Sequence, residues 1–346
     1  MGPDARGVPQ ELSREEAAFL DALDYWFVEP SQVATGSGVV RPCVARDPAL
    51  LDLAPLAGTT VAIADLERDD WDARLLAGTL SSSPWAARTG TRFRPAPLGL
   101  LEKSYERRIV SADFAALHDA PERRIRLIEK LQDFRRDAGA DCSALLLGPW
   151  LGIERDTVRE VTRAVEMPVG ECTSLPGGPS GLRFARARDR LLAQLSVQVR
   201  RQRVGQVVPT SAGWQVIPEG TDSGRDQRAA GSSEFPFVIV AVGGLAGGGL
   251  EFAPRQGSGA PFRLRPELPV VFSFGDEPLE QVSSTYGFDP LTARGAWIEK
   301  VGVLADAEGR AGPAGLWFAG DLVAGAPRTV LAGVRSALAA VGALPS

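Results

Sequence analysis

The chain has 346 residues, 44% of them hydrophobic and 23% charged, with a net charge of −5. That length exceeds what one small core uses, so two lobes are expected, and the composition is that of a folded, soluble protein. Scattered Lys and Arg on an acidic chain exclude a nucleic-acid footprint, and no apolar run reaches the ~20 residues of a spanning helix.

In chain order, residues 1–10 read as a frayed tail without the apolar stretch of a secretion signal, which places the protein in the cytoplasm. Ser13-Arg-Glu-Glu16 is a capping box that opens a helix through about Trp26, with Phe19, Leu20 and Leu23 on one face. Val33 to Val44 is extended and glycine-bearing, and Thr60 to Leu66 is a short buried strand. Asp70 is expected to cap a helix through about Leu80 that carries Trp71, Leu75 and Leu76 at helical spacing. Thr91 to Leu98 reads as the next strand. Pro121 starts an amphipathic helix to about Arg136, with Ile125, Ile128 and Leu131 on the apolar side. Ser143 to Leu147 is a buried strand ending at Gly148-Pro149, Glu154 to Val165 a helix, and Val169 to Cys172 a strand. This alternation predicts a parallel sheet flanked by helices. Ser174 to Gly181 is a loop of forced turns that leads into an arginine-rich helix to about Gln198. Strands follow at Val199–Val208 and Trp214–Ile217, then a polar stretch at Pro218–Ser233 that reads as an exposed tip or disordered loop. Phe235 to Val242 is the most apolar strand of the chain. Residues 253–300 carry no strong periodicity, and there is no internal repeat.

Two glycine-marked strand ends carry the most chemistry. Gly315-Leu-Trp-Phe-Ala-Gly-Asp321-Leu-Val-Ala-Gly325 is an apolar strand, an acidic turn and then an Ala-rich helix from near Pro327. That order sets a carboxylate at a strand end beside the positive end of a helix. Flavoproteins of the two-dinucleotide-fold type close their cofactor site with a similar segment, whose Asp holds a ribityl hydroxyl. Phe237-Val-Ile-Val-Ala-Val-Gly243 also closes in small residues, where a backbone can approach a cofactor. Gly243 to Gly249 lacks the Gly-Lys-Ser/Thr ending of a phosphate loop and no convincing helix follows it, so it reads as a cofactor-adjacent or mobile loop.

Six stretches, in order along nearly the whole chain, resemble one family. Thr35-Gly-Ser-Gly38-Val-Val-Arg41 is similar to its Thr-x-x-Gly-x-x-Arg stretch, and Val61 to Leu80 to its strand and Asp-aromatic helix. Glu122-Arg-Arg124 to Leu131 is similar to its arginine-bearing helix, and Leu145 to Gly152 to its apolar strand ending in Pro. Thr173-Ser-Leu-Pro-Gly-Gly-Pro-Ser-Gly-Leu-Arg183 resembles its proline-rich loop, the most specific match, and Val240 to Leu250 its strand plus Ser-Gly-Gly-Leu element. The family is the B subunit of the anaerobic, quinone-linked glycerol-3-phosphate dehydrogenase. The resemblance implies an α/β protein with an incomplete FAD/NAD(P)-binding Rossmann-like sheet. It divides the chain into 1–34 plus 235–346, a flavin-binding remnant, and 35–234, an inserted α/β domain. It implies a flavin, FMN or FAD, that relays electrons from sn-glycerol 3-phosphate oxidation towards quinone. The implied partners are a catalytic flavoprotein and an iron–sulfur subunit, through which the chain reaches the inner face of the membrane. The family's opening strand and Gly-x-Gly-x-x-Gly turn have no counterpart in residues 1–34. A sheet without that strand would leave an edge for a partner to cover. Two other readings stay open: a general FAD-dependent oxidoreductase with a truncated start, and a cofactor-free scaffold subunit.

The cofactor candidates are Gly243, Gly244, Gly320, Asp321, Gly325 and Arg328. Arg41, Arg124 and Arg183, all in matched stretches, are candidates for a phosphate, because a guanidinium fork suits an anion; the plainer reading pairs each with a surface carboxylate. His118 is the only histidine, which argues against a His-based triad or a multi-His metal site. It reads as a surface or helix-start residue, so the catalytic base is left unassigned. Cys43, Cys142 and Cys172 have no C-x-x-C spacing and read as reduced, mostly buried thiols rather than metal ligands.

Overall fold

A computed structural model describes residues 12–23, 30–138, 141–174, 177–219, 233–244, 247–252, 262–266, 268, 270–274, 277–278, 300–325 and 330–345. The expected tail at 1–10, the polar tip between residues 220 and 232, and most of 253–299 lie outside that set. The chain is an α/β protein of two compact units, Met1–Gln198 and Val199–Ser346. The division between these compact units falls at 198/199. Among the described residues no helix is long and apolar enough to cross a membrane.

The first unit opens with helix α1 (Arg14–Leu23). Its capping box is reciprocal: Ser13 N–H donates to Glu16 Oε2 at 2.7 Å, and Glu16 N–H donates to Ser13 Oγ at 3.2 Å. Strands β1 (Ser31–Ala34) and β2 (Val40–Cys43) form an antiparallel hairpin. Next come β3 (Thr60–Asp65), α2 (Ala73–Ser81), α3 (Pro84–Thr89), β4 (Arg92–Pro97), α4 (Ser111–Leu117) and α5 (Pro121–Ala138). The unit ends with β5 (Ala144–Leu147), α6 (Arg155–Ala164), β6 (Val169–Glu171) and α7 (Pro179–Gln194). The sheet order is β4-β3-β5-β6, all parallel, as the strand–helix alternation requires.

Both faces of this sheet are covered, which is why its strands are apolar at successive residues. Val61, Ile63, Ala144 and Leu146 pack under Leu76 and Leu80 of α2 and Trp85 of α3. Ala62, Ala64, Leu145 and Leu147 pack under Leu131 and Phe134 of α5 and Val158 and Val161 of α6. Helix α1 lies on α7, with Leu23 and Ala187 buried and Phe19 and Phe184 packed against them.

Several boundaries differ from expectation. The cap of α2 is Asp72, whose carboxylate accepts from Leu75 N–H at 2.9 Å. Asp70 is held instead by Arg68, through Nε and Nη2 at 2.9 Å each. Leu75 is 68% exposed, so the buried stripe of α2 runs through Ala73, Leu76, Ala77 and Leu80. On α5 the buried stripe is Leu127, Leu131 and Phe134, and Ile125 is 54% exposed. Helix α7 stops at Gln194, four residues before the expected Gln198.

The second unit begins with an antiparallel sheet of β7 (Val204–Pro209), β8 (Trp214–Pro218) and β9 (Ser233–Phe235), in that spatial order. The expected strand at 235–242 is therefore divided. Phe235 closes β9, Pro236 intervenes, and β10 (Val238–Val240) pairs elsewhere. Strands β11 (Leu250–Phe252) and β12 (Phe262–Leu264) pair antiparallel. Strands β13 (Phe272–Phe274), β14 (Glu277–Pro278) and β15 (Val301–Val303) form a sheet of order β14-β13-β15. Strand β16 (Leu316–Phe318) pairs parallel with β10, and helix α8 (Val330–Gly342) follows. The core of this unit collects Val207, Trp214, Val240, Val303, Phe318 and Leu322 from five of these strands and the turn after β16.

Candidate functional site

The two glycine-marked strand ends meet. Strands β10 and β16 run parallel in the register Val238↔Leu316, Ile239↔Trp317 and Val240↔Phe318, so their carboxyl ends lie side by side. Ala319 N–H donates to Val240 O at 3.0 Å, which continues the ladder into the acidic turn. Beyond the strands, Gly244 lies against the backbone of Asp321. A Cβ at Gly244 would stand 2.4 Å from Asp321 O, so only glycine fits. Gly243 has φ +83°, a left-handed turn after β10.

The turn itself is a single 3₁₀ turn, Gly320–Leu322. Gly320 has φ +73°, and Gly320 N–H donates to Ser336 Oγ of α8 at 3.1 Å. On its far side the turn rests on β15: Ala324 N–H donates to Val303 O at 3.1 Å. A Cβ at Gly302 would stand 2.5 Å from Leu322 O. Helix α8 packs on this turn and on β16. The Asp321 side chain is half-buried and has no hydrogen bond or ion pair among the described residues. Gly320 and Gly325 flank it, and a Cβ at either would meet nothing within 4 Å among the described residues. A single acceptor with open backbone on both sides is a fit for one hydroxyl of a polyol chain. Arg328, the remaining cofactor candidate, lies outside the described residues.

The phosphate candidates are all in the first unit. Arg41 is exposed on β2, opposite Val33. Arg124 Nε lies 2.9 Å from a Glu160 carboxylate oxygen, and its Nη1 donates to Thr157 Oγ1 at 3.2 Å. Arg183 is 3% exposed and fully engaged. Its Nε donates to Asp47 at 2.9 Å, its Nη2 to Glu171 at 2.6 Å and its Nη1 to Gly152 O at 2.5 Å. Asp47 is also the acceptor for Ser180 Oγ–H at 2.7 Å. Both carboxylates hold Arg183 charged, raising its pKa. Arg183 is therefore a buried anchor that ties α7 to β6 and to the loop before β3, with each of its three guanidinium nitrogens bonded inside the fold. Burial pushes the Glu171 carboxyl up to about 7, against the pull of Arg183 and of Leu151 N–H. Sequence reasoning missed Asp47 and Glu171; the one signal was a charged residue, Glu171, inside the apolar Val169–Cys172 run.

His118 is a core residue rather than a surface one. It sits at the C-cap of α4, 2% exposed, with Nδ1 2.6 Å from Trp150 O and its ring edge-on to Phe114. Burial pushes its pKa down to about 4, so the imidazole is neutral at physiological pH. Cys142 and Cys172 are buried, Cys43 is half-buried, and all three are free thiols. Burial, with Glu171 adjacent, pushes the Cys172 thiol up to about 12, so it is no nucleophile. Among the described residues no group of three His, Cys, Asp or Glu side chains could hold a metal.

In open parallel sheets, ligands bind beyond the carboxyl ends of strands, where the strand order reverses. Here that point lies between β3 and β5, and the chain fills it. Trp150 packs edge-on to Trp71 at 5.0 Å, and the Arg68 guanidinium stacks 4.7 Å from the Phe114 ring centre. Arg68 also donates to Glu106 O and Ile109 O at 2.7 Å each, which locks the plug to the following loop. A cleft of about 460 Å³ opens between β4 and α5, lined by charges of both signs from Arg94, Lys130, Asp137 and Asp141. Comparison with family models, with curated proteins and with solved structures finds nothing that matches this chain.

Proposed function

We propose that the protein is a flavin-binding oxidoreductase subunit, resembling the B subunit of anaerobic glycerol-3-phosphate dehydrogenase, with its flavin site in the second unit. One observation carries the reading: the parallel β10–β16 register sets Gly243-Gly244 beside Gly320-Asp321. Two motifs recognised separately thus form one strand-end cradle, with a carboxylate that has no partner among the described residues and a helix packed on its turn. This supports treating the second unit as an incomplete FAD/NAD(P)-binding Rossmann-like sheet. Bound there, a flavin would supply hydride and electron transfer, while Asp321 would hold a ribityl hydroxyl and the glycines would admit the ring or chain against the backbone. The substrate class by resemblance is sn-glycerol 3-phosphate, oxidised within a complex with flavoprotein and iron–sulfur partners. The subunit would be cytoplasmic and reach the inner face of the membrane through them. Arg124 and Arg183 are committed to carboxylates, so of the three phosphate candidates only Arg41, in the first unit, remains.

A second reading has its own support. The first unit fills its strand-reversal crevice with Trp150 and Arg68, as a scaffold that binds no small molecule would. One experiment separates the two. The full chain is purified with co-expressed neighbours, its absorbance spectrum is recorded and the released ligand is weighed. Bound FMN or FAD that is lost in Asp321→Asn supports the flavin reading. Colourless protein that assembles normally, with Asp321→Asn unchanged, supports the scaffold.

A further inference from the structure

We infer that Ser336 is the positioning residue of the Asp321 turn, an inference that rests on the flavin reading above. Helix α8 reads Val-Leu-Ala-Gly-Val-Arg-Ser-Ala-Leu-Ala-Ala-Val-Gly, with Arg335 and Ser336 its only polar side chains. Serine is a poor choice inside such a helix, because its hydroxyl competes for backbone partners. Its Oγ takes the N–H of Gly320, the residue just before Asp321. That N–H belongs to the first residue of the 3₁₀ turn, so it has no partner within the turn, and Ala319 makes no side-chain cap. The helix supplies the acceptor that the turn lacks.

The other anchors grip the chain on either side of this peptide. Ala319 N–H holds to β10, Val323 N–H closes the turn on Gly320 O, and Ala324 N–H holds to β15. None of them fixes the N–H of Gly320, and glycine at φ +73° has the widest backbone freedom of any residue. The Asp321 carboxylate has no partner of its own among the described residues. Ser336 holds the Ala319–Gly320 peptide by which the chain enters the turn, and Val323 N–H holds the Gly320 carbonyl of the next peptide, so the backbone that carries Asp321 is set from its entry by Ser336. Ser336 would act on a flavin through the turn, not by contact.

The test uses the full chain as wild type, Ser336→Ala and Ser336→Thr, with FMN and FAD titrated separately and followed by flavin fluorescence. Amide exchange at Gly320 is measured without flavin on all three. The expected result is a loss of about five- to tenfold in flavin affinity for Ser336→Ala, the scale of one net hydrogen bond. Recovery in Ser336→Thr completes it. Wild type that binds flavin together with an equally tight Ser336→Ala overturns the positioning role. If wild type binds neither flavin, the flavin reading itself fails, and the Gly320 amide decides the rest. Faster exchange in Ser336→Ala alone keeps Ser336 as the pin of the turn, and equal exchange in all three removes it.

Discussion

Arg183 and His118 are residues whose chemistry was replaced by burial. An arginine in a glycine- and proline-rich loop suits an anion, yet this one is enclosed by the carboxyls of Asp47 and Glu171. Such a cluster is costly to break, because removing the cation strands two buried carboxylates. Arg183→Ala is expected to lower unfolding free energy by about 3–5 kcal/mol in denaturant titration, whereas a ligand-facing surface arginine would cost under ~0.5 kcal/mol. A small effect would return Arg183 to the list of anion contacts. His118 has the opposite sign of problem: a base kept neutral. Its pKa falls from 6.5 in the unfolded chain to about 4 in the fold, so the unfolded state binds more protons between those values. Its contribution, about 3 kcal/mol from the shift, is complete above pH 6.5 and lost as pH falls through 4. Glu171, raised from 4.5 to about 7, contributes in the other direction over an overlapping range, so a bulk stability profile mixes the two. The imidazole should be read directly. The chain has one histidine, so one pair of ring resonances is expected, titrating near pH 4. A midpoint near 6.5 would mean that the ring is solvated and that the surface assignment was right.

At the scale of elements, what is local was legible and what depends on distant contacts was not. The Ser13–Glu16 box is complete within four residues and is made as read. The strands at 60–65 and 144–147 were readable because a central parallel strand needs apolar residues on both faces. The start of α2 was not readable, since Asp70 and Asp72 are both good caps by type. Arg68 decided it: anchored to Glu106 O and Ile109 O, far along the chain, it claims Asp70 and leaves Asp72 to the helix. On α5 the expected face of Ile125, Ile128 and Leu131 holds at Leu131 and in part at Ile128, which packs on the core, while the position of the sheet buries Leu127 and Phe134 and leaves Ile125 exposed. The candidate site follows the same rule. Each glycine turn is a local signal, but the register that brings Gly244 to Asp321 is a tertiary fact. Amide exchange can check the cap. Asp72→Ala should expose the Leu75 amide and cost about 1 kcal/mol, while Asp70→Ala should leave that amide protected. Loss of Leu75 protection in Asp70→Ala would give the cap back to Asp70.

For the whole molecule, the division at 198/199 has physical content. Helix α7 ends at Gln194, and from there to Arg203 no helix or strand forms. Leu195, Val197 and Val199 are exposed in this stretch, as are Arg200, Arg201 and Arg203. Each unit has its own core: two layers of side chains on the parallel sheet in the first, and the Val240–Trp214–Phe318 group in the second. Separate cores joined by an exposed connection are what independently folding units show. Brief trypsin treatment should therefore cut after Arg200, Arg201 or Arg203, and intact mass should place one fragment's C-terminus there. That fragment contains the complete β4-β3-β5-β6 sheet and its helices, so it should retain cooperative thermal unfolding and the low-pH His118 titration. Resistance of all three arginines under conditions that cleave other sites would mean that the connection is held down. A cut there that yields an unfolded N-terminal fragment would mean that the first sheet depends on the second unit for its stability.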